Sequence, residues 1–434
     1  MFIGLRKFFV LAIRDVIYPR GTAQGLCCAM FLGLALSGCM SIAPTDGAAS
    51  REQASGMRLE TLHIDGTRLV TPAGNVVKLR GVNLGGWLVT ESWMCGFADS
   101  RDRVVDGGAI GTTGRSTEEH LEERFGRAKT EALMNVWRAN WLTRRDLDLI
   151  RDWGFNSVRV PISYRTLQAP RGDSLGRAGG KIDFSLMDWL VREAGRRGLY
   201  VIFDLHVWPD QQEQYDRIGR PEGAAILKAM AELWTQVALH YKGEGTIAAF
   251  DLINEFPGAW GVQQALAAAV RNADASRLLV IEGFSLQEFL ELQRKGVFEN
   301  TIYSDHIYRD TPVTSGQVSD YLQQFIAAAV PVYIGEFQPA DFPGATAAMD
   351  ALGLSWSTWT YKTVDMGEWG IFNYYSNLRT DIQGDSYATI MDRWSTDLTK
   401  WQRPGPPNYF MNEHRHPAAR PDAQLLNMEG QDPR

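Results

Sequence analysis
Eight short apolar runs punctuate the chain, separated by longer stretches in which apolar residues recur at helical spacing. The runs fall at 79–83, 157–161, 200–205, 248–253, 278–282, 302–306, 332–335 and 356–360. They are rich in β-branched and aromatic residues and read as buried strands. Between them, Phe184–Arg197 and Glu222–Tyr241 intersperse charges among apolar residues, the pattern of amphipathic crossover helices. Strand and helix alternating over eight units predict an α/β fold, a (β/α)8 TIM barrel. Ahead of it, Leu62-His63-Ile64, Arg68-Leu69-Val70 and Val76–Gly81 are separated by turn signals, which predicts an N-terminal β-meander capping the barrel bottom. The interval Cys95–Arg151 is too long for one crossover helix. Its glycine-rich stretch 107–114 and the helix-start signal Ser116-Thr117-Glu118-Glu119 predict a loop plus one or two helices over the barrel mouth.

The N-terminus has a different pattern. Arg6, Lys7, Arg14 and Arg20 precede the apolar stretch Leu26–Leu36, which ends in Leu36-Ser37-Gly38-Cys39. A basic region, an apolar core and small residues in that order predict an export signal. The closing tetrapeptide resembles a bacterial lipobox, which implies a lipidated Cys39 and, with Met40 next, an outer-membrane lipoprotein facing the periplasm or the cell surface. An ordinary cleaved signal or an uncleaved anchor is the alternative. The organisation expected is a signal over 1–39, a linker over 40–57, a barrel domain over 58–401 and a tail over 402–434. Cys27 and Cys28 would leave with the signal, so Cys95 has no disulfide partner and is expected to be structural.

Composition narrows the class. The 434 residues are 45% hydrophobic and 22% charged, enough for a large core, and the net charge of -7 argues against nucleic acid as a partner. The 14 Trp and 14 Tyr suit a sugar cleft, where apolar sugar faces stack on rings, although core filling accounts for many of them. Glu255, after Asn254, and Glu336, in Tyr333-Ile334-Gly335-Glu336-Phe337, each follow an apolar run. Either alone is a weak signal. Together, after the fourth and seventh strands, they would converge on the face of a parallel barrel that carries the active site. Two carboxylates there suit glycosidic bond cleavage, one giving a proton to the leaving oxygen and the other acting on the opposite face of the sugar.

Over residues 60–400 the sequence resembles glycoside hydrolase family 5, closest to its exo-β-1,3-glucanase branch. The resemblance rests on Arg80-Gly81-Val82-Asn83-Leu84-Gly85-Gly86-Trp87-Leu88-Val89 with Glu91, on Asn156–Pro161 and on Asp204-Leu205-His206. Asn254-Glu255, His306-Ile307-Tyr308, Glu336 and Trp359 complete it. It implies a retaining mechanism with Glu255 as acid/base and Glu336 as nucleophile. It further implies substrate-binding roles for Arg159, His206, Asn254, His306, Tyr308 and Trp359, with Glu91 binding the terminal glucose. Arg159 and Tyr308 are expected to bond Glu336 and hold its pKa down, while a desolvated Glu255 beside it is held up. No cofactor or metal is implied; His206 and His306 match no zinc spacing.

Two departures matter. Val207–Tyr215 replaces a Gly- and Ser-rich loop, so Trp208 and Tyr215 could reshape the pocket, and Tyr361 stands where a tryptophan is typical. Linkage and exo or endo action therefore stay open. The leading expectation is an exported, lipid-anchored, monomeric β-glycosidase acting on β-glucan polysaccharide or oligosaccharide, β-1,3-linked in the first instance. The rivals are an endo-β-1,4-glucanase, a β-glucosidase, a sugar-binding lipoprotein without catalysis and a metal-dependent hydrolase.

Overall fold
A strand in a parallel barrel is covered by helices on one face and by the barrel interior on the other, so it reads as a near-continuous apolar run. All eight predicted runs form barrel strands in the computed structural model. The structure describes residues 58–98, 117–167, 181–207, 221–256, 260–282, 286–308 apart from 295 and 297, 315–338, 342–364, 369–374 and 378–398. Of the two units into which the chain divides, Met1–Gln53 and Ala54–Arg434, the described residues all belong to the second. Cys39, the signal, the linker, the 107–114 stretch, Trp208, Tyr215 and the tail lie outside them.

The strands β1 (His63–Asp65), β2 (Arg68–Val70) and β3 (Val76–Val77) form an antiparallel meander. Next come β4 (Arg80–Asn83), a short β5 (Phe97–Ala98), β6 (Ser157–Ser163), β7 (Tyr200–Val207) and β8 (Ile247–Asp251). They are followed by β9 (Leu279–Glu282), β10 (Thr301–Ile307), β11 (Val332–Phe337) and β12 (Ser355–Thr358). Leaving out β5, the strands from β4 to β12 run parallel and close into a barrel, with β12 pairing back onto β4. Beyond it, β13 (Lys362–Val364) pairs with β14 (Phe372–Tyr374), and β15 (Thr380–Asp381) pairs with β5.

Residues along a strand alternate between faces. Val158, Val160 and Ile162 of β6 and Val201, Phe203 and Leu205 of β7 join the large core between strands and helices. Tyr200 and Ile202 instead join a second, smaller core with Ala249, Val280, Ile302 and Tyr333, to which the meander contributes Leu62 and Leu69. The meander therefore caps the end of the barrel where the strands begin. Tyr200 donates to the Glu60 carbonyl at 3.2 Å, and the Ile64 N–H donates to Asn300 at 3.0 Å, fixing the cap in place.

Among the described residues between β5 and β6 there are three helices, Thr117–Phe125, Arg127–Trp141 and Arg144–Asp152, where one or two were expected. Gly126, at φ +79°, separates the first two, a conformation that favours glycine. Thr143 starts the third with a capping box closed by Asp146. The second packs on the segment after β4: Trp137 donates to the Gly86 carbonyl at 2.7 Å and Trp141 to that of Gly85 at 2.8 Å. Cys95 is buried and is in no disulfide among the described residues. Among the described residues, no helix is long and apolar enough to cross a membrane.

Candidate active site
Above the apolar floor the inward positions of the barrel turn polar. Arg159 on β6 is 0% exposed, and its guanidinium meets four carboxylates from four other strands. Asp204 lies 3.2 Å away, Asp251 and Glu282 2.9 Å, and Glu336 2.8 Å. The same guanidinium donates to Asn83 at 3.1 Å and Asn254 at 2.9 Å. A fork of five donors fixed in one plane suits such a hub, which a single ammonium could not serve. The bond to Oδ1 of Asn254 orients that amide so that its NH2 is the end turned away from the guanidinium.

Glu336 points inward because of a register shift. Along β10 and β11, Asp305 pairs with Ile334 but His306 pairs with Glu336, leaving Gly335 as an extra residue. Strict alternation from the inward Tyr333 would send Glu336 out towards the helices; the bulge turns it back. Space there is tight. A Cβ on Gly335 would lie 2.8 Å from both His306 Nε2 and Ser304 Oγ. The strand was expected to stop at Gly335, yet it continues through Glu336 to Phe337.

Glu336 accepts from Arg159 on one oxygen and from Tyr308, at 2.8 Å, on the other. Glu255 lies beyond β8 rather than directly at its end, at φ +44°, a left-handed conformation uncommon outside glycine. Its side chain is 39% exposed, and Oε1 lies 3.0 Å from His306 Nδ1. Glu255, His306 and Glu336 each present an atom within 4.8 Å of the others. Those three atoms could in principle ligate an ion, but the Arg159 charge bonded to Glu336 disfavours a cation there.

A second group of residues forms the wall. His206 bonds Asp204 through Nδ1 at 2.7 Å and approaches Glu91 at 3.2 Å through Nε2. Glu91 is buried and accepts from the Trp93 indole, so it is no surface-loop acid. Trp359 is 4% exposed and lies parallel to His206 at 5.5 Å. Trp93 and Tyr308 both contact Trp369, extending the aromatic wall. Tyr361 stays out of the site and bonds Asp146 at 2.9 Å.

The electrostatics correct one expectation. Burial acts to raise the Glu255 carboxyl, but the hydrogen bond and charge of His306 outweigh it and hold Glu255 below its ordinary value. Glu336 lies above its ordinary value, through burial and the neighbouring Glu255 charge, despite His306 and Arg159. Both directions are the reverse of those expected. For Glu255 the cause is His306: burial disfavours its charge, yet Glu282, Glu336 and Glu255 together raise it well above the ordinary histidine value, so it faces Glu255 as a cation. His206 is raised likewise against burial, chiefly by Asp204. Asp251 is raised well above the carboxylate range by burial and by Glu282.

Glu282, Asp251, Trp93 and Trp369 also belong to this site and are not among the residues expected from the sequence. Glu282 carries a usable signal, since it closes an apolar run, as Glu255 and Glu336 each follow one.

Carboxylates paired at the C-terminal ends of parallel barrel strands define the class of barrel glycosidases. The chain belongs to the cellulase family, glycosyl hydrolase family 5, whose model matches residues 118–365. A probable glucan 1,3-beta-glucosidase A from Aspergillus niger is 29% identical over 289 residues, 60% of this chain and 65% of that protein. The chain thus spans about two thirds of that relative's length. A beta-xylosidase from Phanerodontia chrysosporium is 23% identical over 393 residues, covering 77% of this chain and 78% of that protein. Among solved structures, a beta-mannanase from Streptomyces thermolilacinus is similar over 73% of this chain and 88% of its own, at 19% identity and a TM-score of 0.47.

Proposed function
We propose that the protein is a retaining β-glycosidase of β-glucan, with β-1,3-linked chains as its substrate class. The observation that carries the reading is the approach of Glu255 and Glu336 oxygens to within 4.8 Å. Retaining enzymes hold these groups about 5–5.5 Å apart, whereas inverting enzymes leave about 6.5–9.5 Å for a water. Glu336, fixed by Arg159 and Tyr308, attacks the anomeric carbon while Glu255 gives its proton to the departing glycosidic oxygen. Water, deprotonated by Glu255, then releases the sugar from Glu336 with its configuration retained. Asn254 presents its NH2 to the 2-hydroxyl; Glu91, His206, His306 and Trp359, with Trp208, bind the terminal sugar.

The free-site charge order suits this cycle once sugar is bound. Substrate covers the part-exposed Glu255 and strips it of water, which raises its pKa towards that of a proton donor, whereas Glu336 is already buried. The β-1,3 preference draws on the Aspergillus niger relative and on the position of Glu91 against His206. We extend the proposal to export and a lipid anchor on Cys39 of a monomer; palmitate labelling that survives Cys39→Ala would refute the anchor.

The test is product analysis on β-1,3-, β-1,4- and mixed-linkage glucans with NMR of the first-formed anomer. Glucose released as the β-anomer from β-1,3-glucan is expected. An α-anomer would overturn the mechanism, and internal cleavage of β-1,4-glucan would favour an endoglucanase. Glu336→Gln should lose activity by at least about 10³-fold with folding intact.

A further inference from the structure
Glu282 ends β9 at the level of the site but is buried, and it makes contacts that the proposed mechanism leaves unused. Its Oε1 bridges two cations, Arg159 Nη2 at 2.9 Å and His306 Nε2 at 3.1 Å. The approach to His306 is close enough for ion pairing but off the line of a hydrogen bond. Its Oε2 accepts the main-chain N–H of Glu255. That bond falls on the residue whose backbone sits at φ +44°, a conformation that persists only where its surroundings fix it. The Glu282 carbonyl is in turn held by Gln263.

We propose that Glu282 is a positioning residue for the reaction, holding the backbone of Glu255 with one oxygen and facing the His306 ring, which bonds the Glu255 carboxyl, with the other. This deepens the glycosidase reading and rests on Glu255 being its acid/base. Both ends of Glu255 are then tied to one buried carboxylate, the main chain directly and the side chain through an imidazole. The other charged groups around this trio are Arg159 from β6, Asp204 and His206 from β7, Asp251 from β8, Asp305 from β10 and Glu336 from β11. Of these, Arg159 is already shared among four carboxylates, and Asp251 and Asp305 are both raised, first of all by burial. Glu282 itself is held down to about 2: burial opposes its charge, and His306 and Arg159 more than compensate. It is therefore the first of the carboxylates that keep the His306 ring charged, ahead of Glu336 and Glu255, and through that ring it acts to lower Glu255, against its own direct charge, and to restrain the rise of Glu336.

The experiment compares pH profiles of kcat/KM for wild type, Glu282→Gln and Glu282→Asp on an activated aryl β-glucoside. Removing the charge in Glu282→Gln takes away the first of the charges that hold His306 protonated, so the ring's hold on Glu336 weakens and the acid limb of the bell, set by that nucleophile, should move to higher pH by about one unit. Glu282→Asp keeps the charge and should hold the limbs in place while lowering kcat. A Glu282→Gln profile that superimposes on wild type, or equal displacement in both variants, would overturn the proposal. Should Glu282→Gln fail to fold, NMR titration of the His306 ring in the wild-type protein decides. A ring still protonated at about pH 8 supports the proposal, and one neutral at about pH 7 refutes it. Failure of the acid/base reading shows separately: Glu255→Ala should regain turnover with added azide, giving the β-glycosyl azide, and absence of that product would count against Glu255 rather than Glu282.

Discussion

At the scale of single residues, the site is governed by one guanidinium and two imidazoles set among more carboxylates than they can neutralise. Stability should register this through pH. Glu282 has its carboxyl lowered from 4.5 to about 2, so its contribution is fully present above the ordinary value and is lost as pH falls through about 2. The difference in urea unfolding free energy between wild type and Glu282→Gln should therefore shrink on acidification from about pH 6, by on the order of 3 kcal/mol in full. A difference that stayed constant over that range would contradict the lowered carboxyl. The two carboxylates Glu255 and Glu336 were legible in the sequence because each stands beside an apolar run. Their relative acidities were not, because these depend on the charge of His306, which a distant residue maintains. Glu282 looked like an ordinary strand-end acid, and only the closed barrel brings it against His306.

At the scale of elements, the eight strands were legible because both faces of each are buried, and their ends were found to within a few residues. The direction of Glu336 was not, since alternation counted from Tyr333 gives the wrong face. The extra residue Gly335 corrects it, and nothing in the letters marks a bulge apart from the glycine itself. Gly335→Ala should push against His306 and Ser304, costing about 1–3 kcal/mol of stability. It should also lower kcat by about 10²-fold through displacement of the ring that bonds Glu255. Calorimetry and steady-state kinetics would check both, and unchanged kcat would mean that the ring does not need its present place. The three helices before β6 exceed the one or two expected because Gly126 and the Thr143 cap each start a new helix within the tract.

At the scale of the whole molecule, a buried ion pair ties an early helix to the end of the barrel. Lys362 on β13 is fully buried and donates to Asp146 at 2.9 Å and to the Trp141 carbonyl at 2.5 Å. Burial pushes the Lys362 ammonium down, and Asp146 counters it. Asp146→Ala, which strands that charge, should cost about 3–5 kcal/mol in urea unfolding, whereas Asp146→Leu combined with Lys362→Met should recover most of it. Failure of the pair to recover would show that the bonds Asp146 accepts from Tyr361 and from the Thr143 cap, not the charge, hold the helix. Anyone grafting this site onto another scaffold has to carry the bulge at Gly335 with it. The transferable unit is β10 and β11 together with their mismatch of one residue. The same letters threaded onto a flat strand would turn Phe337 into the barrel interior and strand the Glu336 carboxylate among Phe342, Trp356 and the helices.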